Sequence, residues 1–282
     1  MDRVALIVNR DSGSAPDADR VAAAVERHGA EVELFGLDRA HEVAVFRPDR
    51  IAVAGGDGSI APAARAAATA GAPLAVIPAG TANDFARALE LPDDEEEACR
   101  LAATGERLRS LDLAHMDDRP FVNAANAGLA VRAAREARQL KRVLGQLAYA
   151  AGALRAGLSA SPLRCTVRCD GEEVFAGAAW QVIVANTGAF GAGSGIDDAD
   201  PGDGELDVAI VESGPRARLV QHAYGLRTGR IGQQAGVHHR RAREAEVAVE
   251  GEAAFNVDGE LCQASARASF GTEPRAFEVV VG

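Results

Sequence analysis

The stretch Ile51–Ile60, IAVAGGDGSI, decides how the rest of the chain is read. An apolar run leads to Gly55 and Gly56, Asp57 follows, and Gly58 and Ser59 open onto Ala61–Ala70, a segment rich in the strongest helix former. Paired glycines give a strand nothing to pack and admit positive φ, so the strand ends there and its amides are released. Amides in a tight turn at the positive end of a helix bind anions. The stretch therefore predicts a strand, a phosphate-sized turn and a helix. Glycine and aspartate are also ordinary turn residues, so the flanking sequence has to separate the two meanings.

Outward from this stretch, Val4–Val8 is a continuous β-rich apolar run ending in Asn9-Arg10-Asp11-Ser12-Gly13. Such a run marks a parallel strand covered on both faces. Ala18–His28 reads as a helix with Gly29 as its stop, Val32–Leu34 as a strand, and Leu74–Ile77 as a strand that ends at Pro78-Ala79-Gly80-Thr81. This alternation predicts an α/β domain with a parallel, Rossmann-like three-layer sheet and its ligands at the carboxyl ends of the strands. The loop after Pro78 carries Thr81, Asn83 and Asp84, a hydroxyl, an amide and a carboxylate at a helix start, where one cap would suffice.

The second half changes period. Leu163–Cys169, Glu173–Ala176, Ala178–Ala185, Leu206–Val211, Ala245–Val249, Ala253–Val257 and Ala266–Phe270 are short β-rich runs separated by Asp/Gly turns, the pattern of an all-β, sandwich-like domain. Asp112–Arg119, DLAHMDDR, breaks the apolar pattern and is the expected hinge.

With 282 residues, 48% of them apolar, the chain can hold two cored domains. A net charge of −11 argues against a general nucleic-acid binder. The charge is uneven: residues 1–109 carry 12 basic and 19 acidic side chains, 110–243 carry 16 and 14, and 244–282 carry 2 and 8. The apolar run near the N-terminus is too short for a signal segment, and no stretch reaches the ~18 apolar residues of a membrane span, so a cytoplasmic protein is expected. Cys165 and Cys169 lie on one expected strand, about 13 Å apart at ~3.3 Å per residue, too far to bridge. Four idle thiols are expected.

GGDGS after one strand and PAGTANDFAR after the next together resemble the soluble bacterial diacylglycerol kinase-like lipid kinases. A GGDG loop alone is shared with NAD kinases and 6-phosphofructokinases; PAGTANDFAR selects the lipid-kinase branch. The likeness continues through Phe121-Val122-Asn123 to Gly128, through Lys141, Gly145 and Tyr149, through Asn186-Thr187-Gly188, through Asp203-Gly204-Glu205-Leu206-Asp207-Val208, and to Asp258-Gly259-Glu260. It implies that a final strand, Ala276–Val281, returns to the first domain. The boundaries then fall at 1–113 with 271–282 for the nucleotide-binding domain and 114–270 for the lipid-substrate domain. After Ser59 the chain departs from the family, with Ile60-Ala61-Pro62-Ala63 where an asparagine and a glutamate are usual.

Read through that resemblance, the chain is an ATP-dependent kinase for a lipid hydroxyl, diacylglycerol or a related lipid alcohol. The alternatives are a nucleotide- or lipid-binding regulator, or a kinase for a soluble substrate such as NAD. Gly55, Gly56, Gly58 and Ser59 would cradle phosphates through their amides, with Asp57 toward Mg²⁺ or the ribose-phosphate side and Asn9, Ser12 and Gly13 closing the same edge. Thr81 would bind the nucleotide, and Asn83 and Asp84 would organise the site. Phosphoryl transfer needs positioned phosphates, a neutralising cation and an activated acceptor, hence ATP and Mg²⁺. Glu260 is the expected base, with Asp258 beside it in substrate or metal binding, two carboxylates sharing one site. Asp200, Asp203 and the carbonyl of Glu205 would hold a structural Mg²⁺. The basic stripe Arg132, Arg135, Arg138, Lys141 and Arg142 suits peripheral contact with the inner face of a membrane, or a solvated face over a core helix. Partners are then a membrane lipid substrate and no nucleic acid, with room for a homodimer.

Overall fold

The computed structural model describes residues 2–9, 16–129, 131, 161–190, 194–196, 199–251, 253–263 and 266–282. Ser12, Gly13, the basic stripe 132–142, Gly145 and Tyr149 lie outside them. By packing, the chain forms two units. One comprises Met1–Leu113, Pro201–Gly204 and Glu273–Gly282, and the other Ala114–Asp200 and Glu205–Thr272.

The first unit runs β1 (Arg3–Val8), α1 (Ala18–Glu26), β2 (Glu31–Gly36), α2 (Val43–Phe46), β3 (Arg50–Gly55), α3 (Asp57–Ala70), β4 (Leu74–Pro78), α4 (Asp84–Ala88) and α5 (Glu95–Thr104). The strands pair in parallel in the order β2-β1-β3-β4. Each central strand is apolar on both sides and buried on both, as the uninterrupted runs required. Val4, Leu6, Val8, Ala52, Ala54 and Ile77 pack with Val21 and Val25 of α1 and Cys99 and Ala102 of α5. Helix α3 packs against β3 through an inner stripe that includes Ile60, Ala63, Ala64 and Ala67. The order reverses at β1, because β2 lies on one side and β3 on the other. An open parallel sheet leaves its ligand crevice at such a switch point, outside the carboxyl ends.

The strand β5 (Leu108–Met116) passes from the first unit into the second. There follow β6 (Arg119–Phe121), β7 (Ala124–Gly128), β8 (Leu163–Cys169), β9 (Glu172–Ala185), β10 (Ala189–Phe190), β11 (Ser194–Gly195), β12 (Leu206–Glu212), α6 (Arg218–Arg227), β13 (Val237–Ala242), β14 (Glu244–Val249), β15 (Ala254–Val257), β16 (Glu260–Gln263) and β17 (Arg267–Val280). The second unit is β-rich, its ladder running β16-β15-β7-β9-β8-β14-β17, with β12 on β9 and β13 on β12. Val182 and Val184 enter one apolar cluster and Ile183 and Ala185 another, so strand alternation fills both faces of β9. The last part of β17 returns to the first unit, where it pairs in parallel with β4.

Three expectations are corrected here. The division between the units lies between Leu113 and Ala114, inside Asp112–Arg119, but on a strand rather than at a break, because Asp112 is fully buried and satisfied: its carboxylate accepts the amides of Gly204 at 2.6 Å and Arg275 at 2.7 Å. A satisfied buried carboxylate does not interrupt a strand, although it interrupts an apolar pattern. The runs Glu173–Ala176 and Ala178–Ala185 are one strand, β9, carried through Gly177, and Ala266–Phe270 joins Ala276–Val281 in β17. Helix α3 begins at Asp57 rather than Ala61, so Gly58 is helical and Pro62 is its sixth residue, past the first turn. A helical glycine costs about 1 kcal/mol, whereas burying an isoleucine side chain such as Ile60 is worth roughly 1.5–3 kcal/mol, so burial wins.

The thiols behave as expected: Cys99, Cys165 and Cys169 are buried, Cys262 is half-buried, and all are free. Burial pushes the first three up to about 11 and raises Cys262 as well.

Candidate active site

At the carboxyl end of β3 the glycines act through missing side chains. Gly56 is the single residue between strand and helix, with extended backbone and no side-chain cap on α3. It faces Gly80 in the loop after β4 so closely that a methyl group on Gly80 would stand 2.6 Å from the Gly56 Cα. The two loops are tied by the Ala79 N–H, which donates to the Gly55 carbonyl at 3.0 Å. Only glycine permits that approach, and it leaves the start of α3 walled by backbone. The first amides of a 14-residue helix point out there with its positive dipole end. Backbone amides, a helix terminus and room made by absent side chains are the means of holding a phosphate group, so the residues fit a nucleotide's phosphates.

The individual residues are less uniform than the sequence suggested. The Ser59 amide donates to the Gly56 carbonyl at 2.9 Å and its side chain is buried beside Gly55, so Ser59 packs the junction. Asp57 projects across to the next loop, where one carboxylate oxygen accepts the Phe85 amide at 3.0 Å. It thereby caps α4, a task the sequence left to Thr81 or Asn83. Asn83 instead holds a left-handed conformation (φ 49°) and accepts the Gly80 amide at 2.9 Å, bending the loop back on itself. Thr81 is exposed, Asp84 is buried with Arg87 at 3.7 Å, and Asn9 lies beside Gly55 at the end of β1. The structure thus brings together Asn9, Gly55, Gly56, Asp57, Gly80 and Asn83.

In the second unit the Asp258-Gly259 pair turns β15 into β16 with positive φ at both residues (46° and 85°). Asp258 is turned toward the segment that enters β7. Its carboxylate accepts the amides of Val122 at 2.8 Å, Asn123 at 2.9 Å and Ala124 at 3.1 Å, and its own amide donates to the Ala124 carbonyl at 3.0 Å. Asn186 holds the same segment from the other side: its side-chain amide donates to the Val122 carbonyl at 3.1 Å, and its backbone amide to the Asn123 carbonyl at 2.8 Å. The Thr187 hydroxyl donates to the Asn123 side chain at 2.8 Å. Glu260 is exposed and ion-paired with Arg119. The two carboxylates therefore have different partners: Asp258 serves backbone amides, while Glu260 faces an arginine. Asp258 is a turn residue and Glu260 the first residue of β16, opposite Val257.

Arg119, Asn123, Asn186 and Thr187 were not singled out as site residues. Asn123 and Asn186 sat inside motifs already quoted, and their burial was the missing signal; Arg119 carried no signal at all.

Among the described residues no three His, Cys, Asp or Glu side chains converge on one point. Asp200 and Asp203 are exposed, and the Glu205 side chain pairs with Arg241 at 3.0 Å, which leaves the expected contribution of the Glu205 carbonyl untouched.

Two family models cover the chain: the diacylglycerol kinase catalytic domain over residues 3–116 and the YegS C-terminal NAD kinase beta sandwich-like domain over 123–281. A diacylglycerol kinase of Bacillus subtilis is 30% identical over 226 residues, 78% of this chain and 74% of that one. The chain belongs to the diacylglycerol kinase family. A probable YegS-like lipid kinase of Cronobacter sakazakii is 38% identical over 126 residues, 42% of this chain and 41% of that protein. Among solved structures, a diacylglycerol kinase from Bacillus anthracis shares the family fold at a TM-score of 0.78 and 23% identity, covering all of this chain and 97% of that one. The fold extends to an NAD kinase from Archaeoglobus fulgidus solved with ATP, at a TM-score of 0.57 and 16% identity over 99% and 93% of the two chains.

Proposed function

We propose that the chain is an ATP-dependent lipid kinase that transfers the γ-phosphoryl group to the hydroxyl of diacylglycerol or a related lipid alcohol. The observation that supports it most is the approach of Gly56 to Gly80 at the sheet's carboxyl edge, in a chain whose relatives are named diacylglycerol kinases and lipid kinases. In this reading the first unit holds the donor. The amides at the start of α3 hold nucleotide phosphates, and Asp57 and Asn83 keep the second loop in place against Gly56. When bound with the nucleotide, Mg²⁺ supplies the positive charge that phosphates beside Asp57 and Asp84 call for.

The second unit serves the acceptor. Glu260 takes the proton of the lipid hydroxyl as its oxygen bonds to the γ-phosphorus; the bond from that phosphorus to the bridging oxygen breaks and ADP leaves. Arg119 orients the Glu260 carboxylate. Asp258 acts as a positioning residue through the 122–124 segment it holds. The lipid is met by peripheral contact at the inner face of the membrane.

The test is to incubate the full chain with γ-labelled ATP, Mg²⁺ and a total lipid extract, with NAD as a soluble control acceptor. Label in one lipid class, with mobility of a phosphatidic acid, is expected. Bound nucleotide without labelled lipid would overturn the proposal, and label in NAD would assign the soluble-substrate alternative.

A further inference from the structure

Helix α6 shows two faces with different purposes. Its inner stripe is bound to the second unit: Leu219 and Leu226 pack on the cluster of Trp180, Ile183 and Ile231, and His222 is buried with its ring nitrogen 2.9 Å from the Gln234 side chain. Its outer face carries Ala217, Val220 and Tyr224, all exposed, with Val220 at 76% and Tyr224 at 69%. These two are one turn apart on the same side of the helix. Single exposed apolar residues are normal, but a pair on one face, unused by the fold, is a surface offered to something else.

The charge around it narrows what that is. Arg216 and Arg218 stand at the start of the helix, Arg227 and Arg230 at its end, and all four are exposed. From Ser213 to Arg243 the sequence has seven arginines and no aspartate or glutamate, in a chain whose net charge is −11. A second copy of the chain docked about a twofold axis would set these arginines against their own equivalents. Nucleic acid would leave Val220 and Tyr224 without an apolar partner. An anionic bilayer matches both features, since it offers negative headgroups to the arginines and an acyl boundary to valine and tyrosine, and tyrosine favours that depth.

We propose that α6 is the element by which this protein docks on anionic lipid, with Val220 and Tyr224 entering the interface and Arg216, Arg218, Arg227 and Arg230 meeting the headgroups. The choice of a bilayer rests on the lipid-kinase reading, but the docking can be tested without it.

The experiment is vesicle co-sedimentation of the full chain without nucleotide, using phosphatidylcholine alone or mixed with phosphatidylglycerol. Binding to the mixed vesicles should exceed binding to the neutral ones at least about tenfold, and V220S/Y224S should weaken it by on the order of tenfold at an unchanged urea midpoint. Tyr224→Trp should bind as the parent does, with its new fluorescence quenched by bromine-labelled acyl chains; Trp180 is buried and would not respond. Equal binding by parent and V220S/Y224S, no preference for the anionic vesicles, or an unquenched Trp at 224 would each overturn the docking. So would a monomer–dimer difference between parent and V220S/Y224S with no difference in vesicle binding. Activity in detergent micelles keeps the two readings apart: labelled lipid in micelles with no vesicle binding overturns the docking alone, and vesicle binding with no labelled lipid overturns the kinase reading alone.

Discussion

At Gly55–Ser59 backbone geometry forms the site, and at Val122–Ala124 a side chain does. In the first case Gly56 and Gly80 approach because neither has a Cβ, and the start of α3 is left to face a ligand. In the second, three consecutive amides are already taken by the Asp258 carboxylate. Amides left open bind anions from outside; amides closed by a carboxylate make a rigid support. In the proposed reading the difference separates the two Asp/Gly motifs of the chain, one for binding and one for holding, with Glu260 the exposed carboxylate of the second motif.

Substitutions can break or sharpen that contrast. Glu260→Gln keeps the shape of the side chain but cannot take a proton, so kcat should fall by roughly 10²-fold or more with KM for ATP unchanged, read by steady-state kinetics. An equal loss in a variant of Asp258 that folds normally would erase the distinction. Asp258→Ala should instead act on folding. It removes an anionic acceptor from three amides and places alanine at φ 46°, for a loss of about 3 kcal/mol in urea unfolding. Asp57→Ala removes the cap bond to Phe85, and a loss of about 1 kcal/mol is expected in the same measurement.

The smallest effect is a kinetic one at the thiols. Raised to about 11, Cys99, Cys165 and Cys169 stay protonated at pH 8, with about one thiolate in a thousand, and become reactive only as pH climbs toward that value. A thiol reagent at pH 8 should therefore label native protein slowly. Asp258→Ala should quicken Cys165 and Cys169, which belong to its own unit, and leave Cys99 as it was.

Much of this was legible in the chain. Strands Val4–Val8, Ile51–Ala54 and Leu74–Ile77 announced a parallel sheet because burial on both faces removes polar residues from the whole run. Gly55-Gly56 and Gly80 announced where that sheet stops. What stayed hidden depends on pairing across sequence distance. Asp112 read as a break because nothing local says that the Gly204 and Arg275 amides will satisfy it. Asp258-Gly259-Glu260 read as two cooperating carboxylates because the partners of each, the Val122–Ala124 amides for Asp258 and Arg119 for Glu260, lie far away in sequence. The outer face of α6 escaped notice because its arginines registered as bulk charge, and only exposure separated Val220 and Tyr224 from the core leucines beside them.

The central claim is that the two motifs serve different reactants, and nucleotide binding by titration calorimetry tests it most directly. Gly80→Ala forces the Gly56 and Gly80 backbones apart and should weaken ATP binding by on the order of tenfold, while Glu260→Gln should bind ATP as the unaltered chain does. Unchanged ATP affinity in Gly80→Ala together with a loss in Glu260→Gln would contradict the assignment.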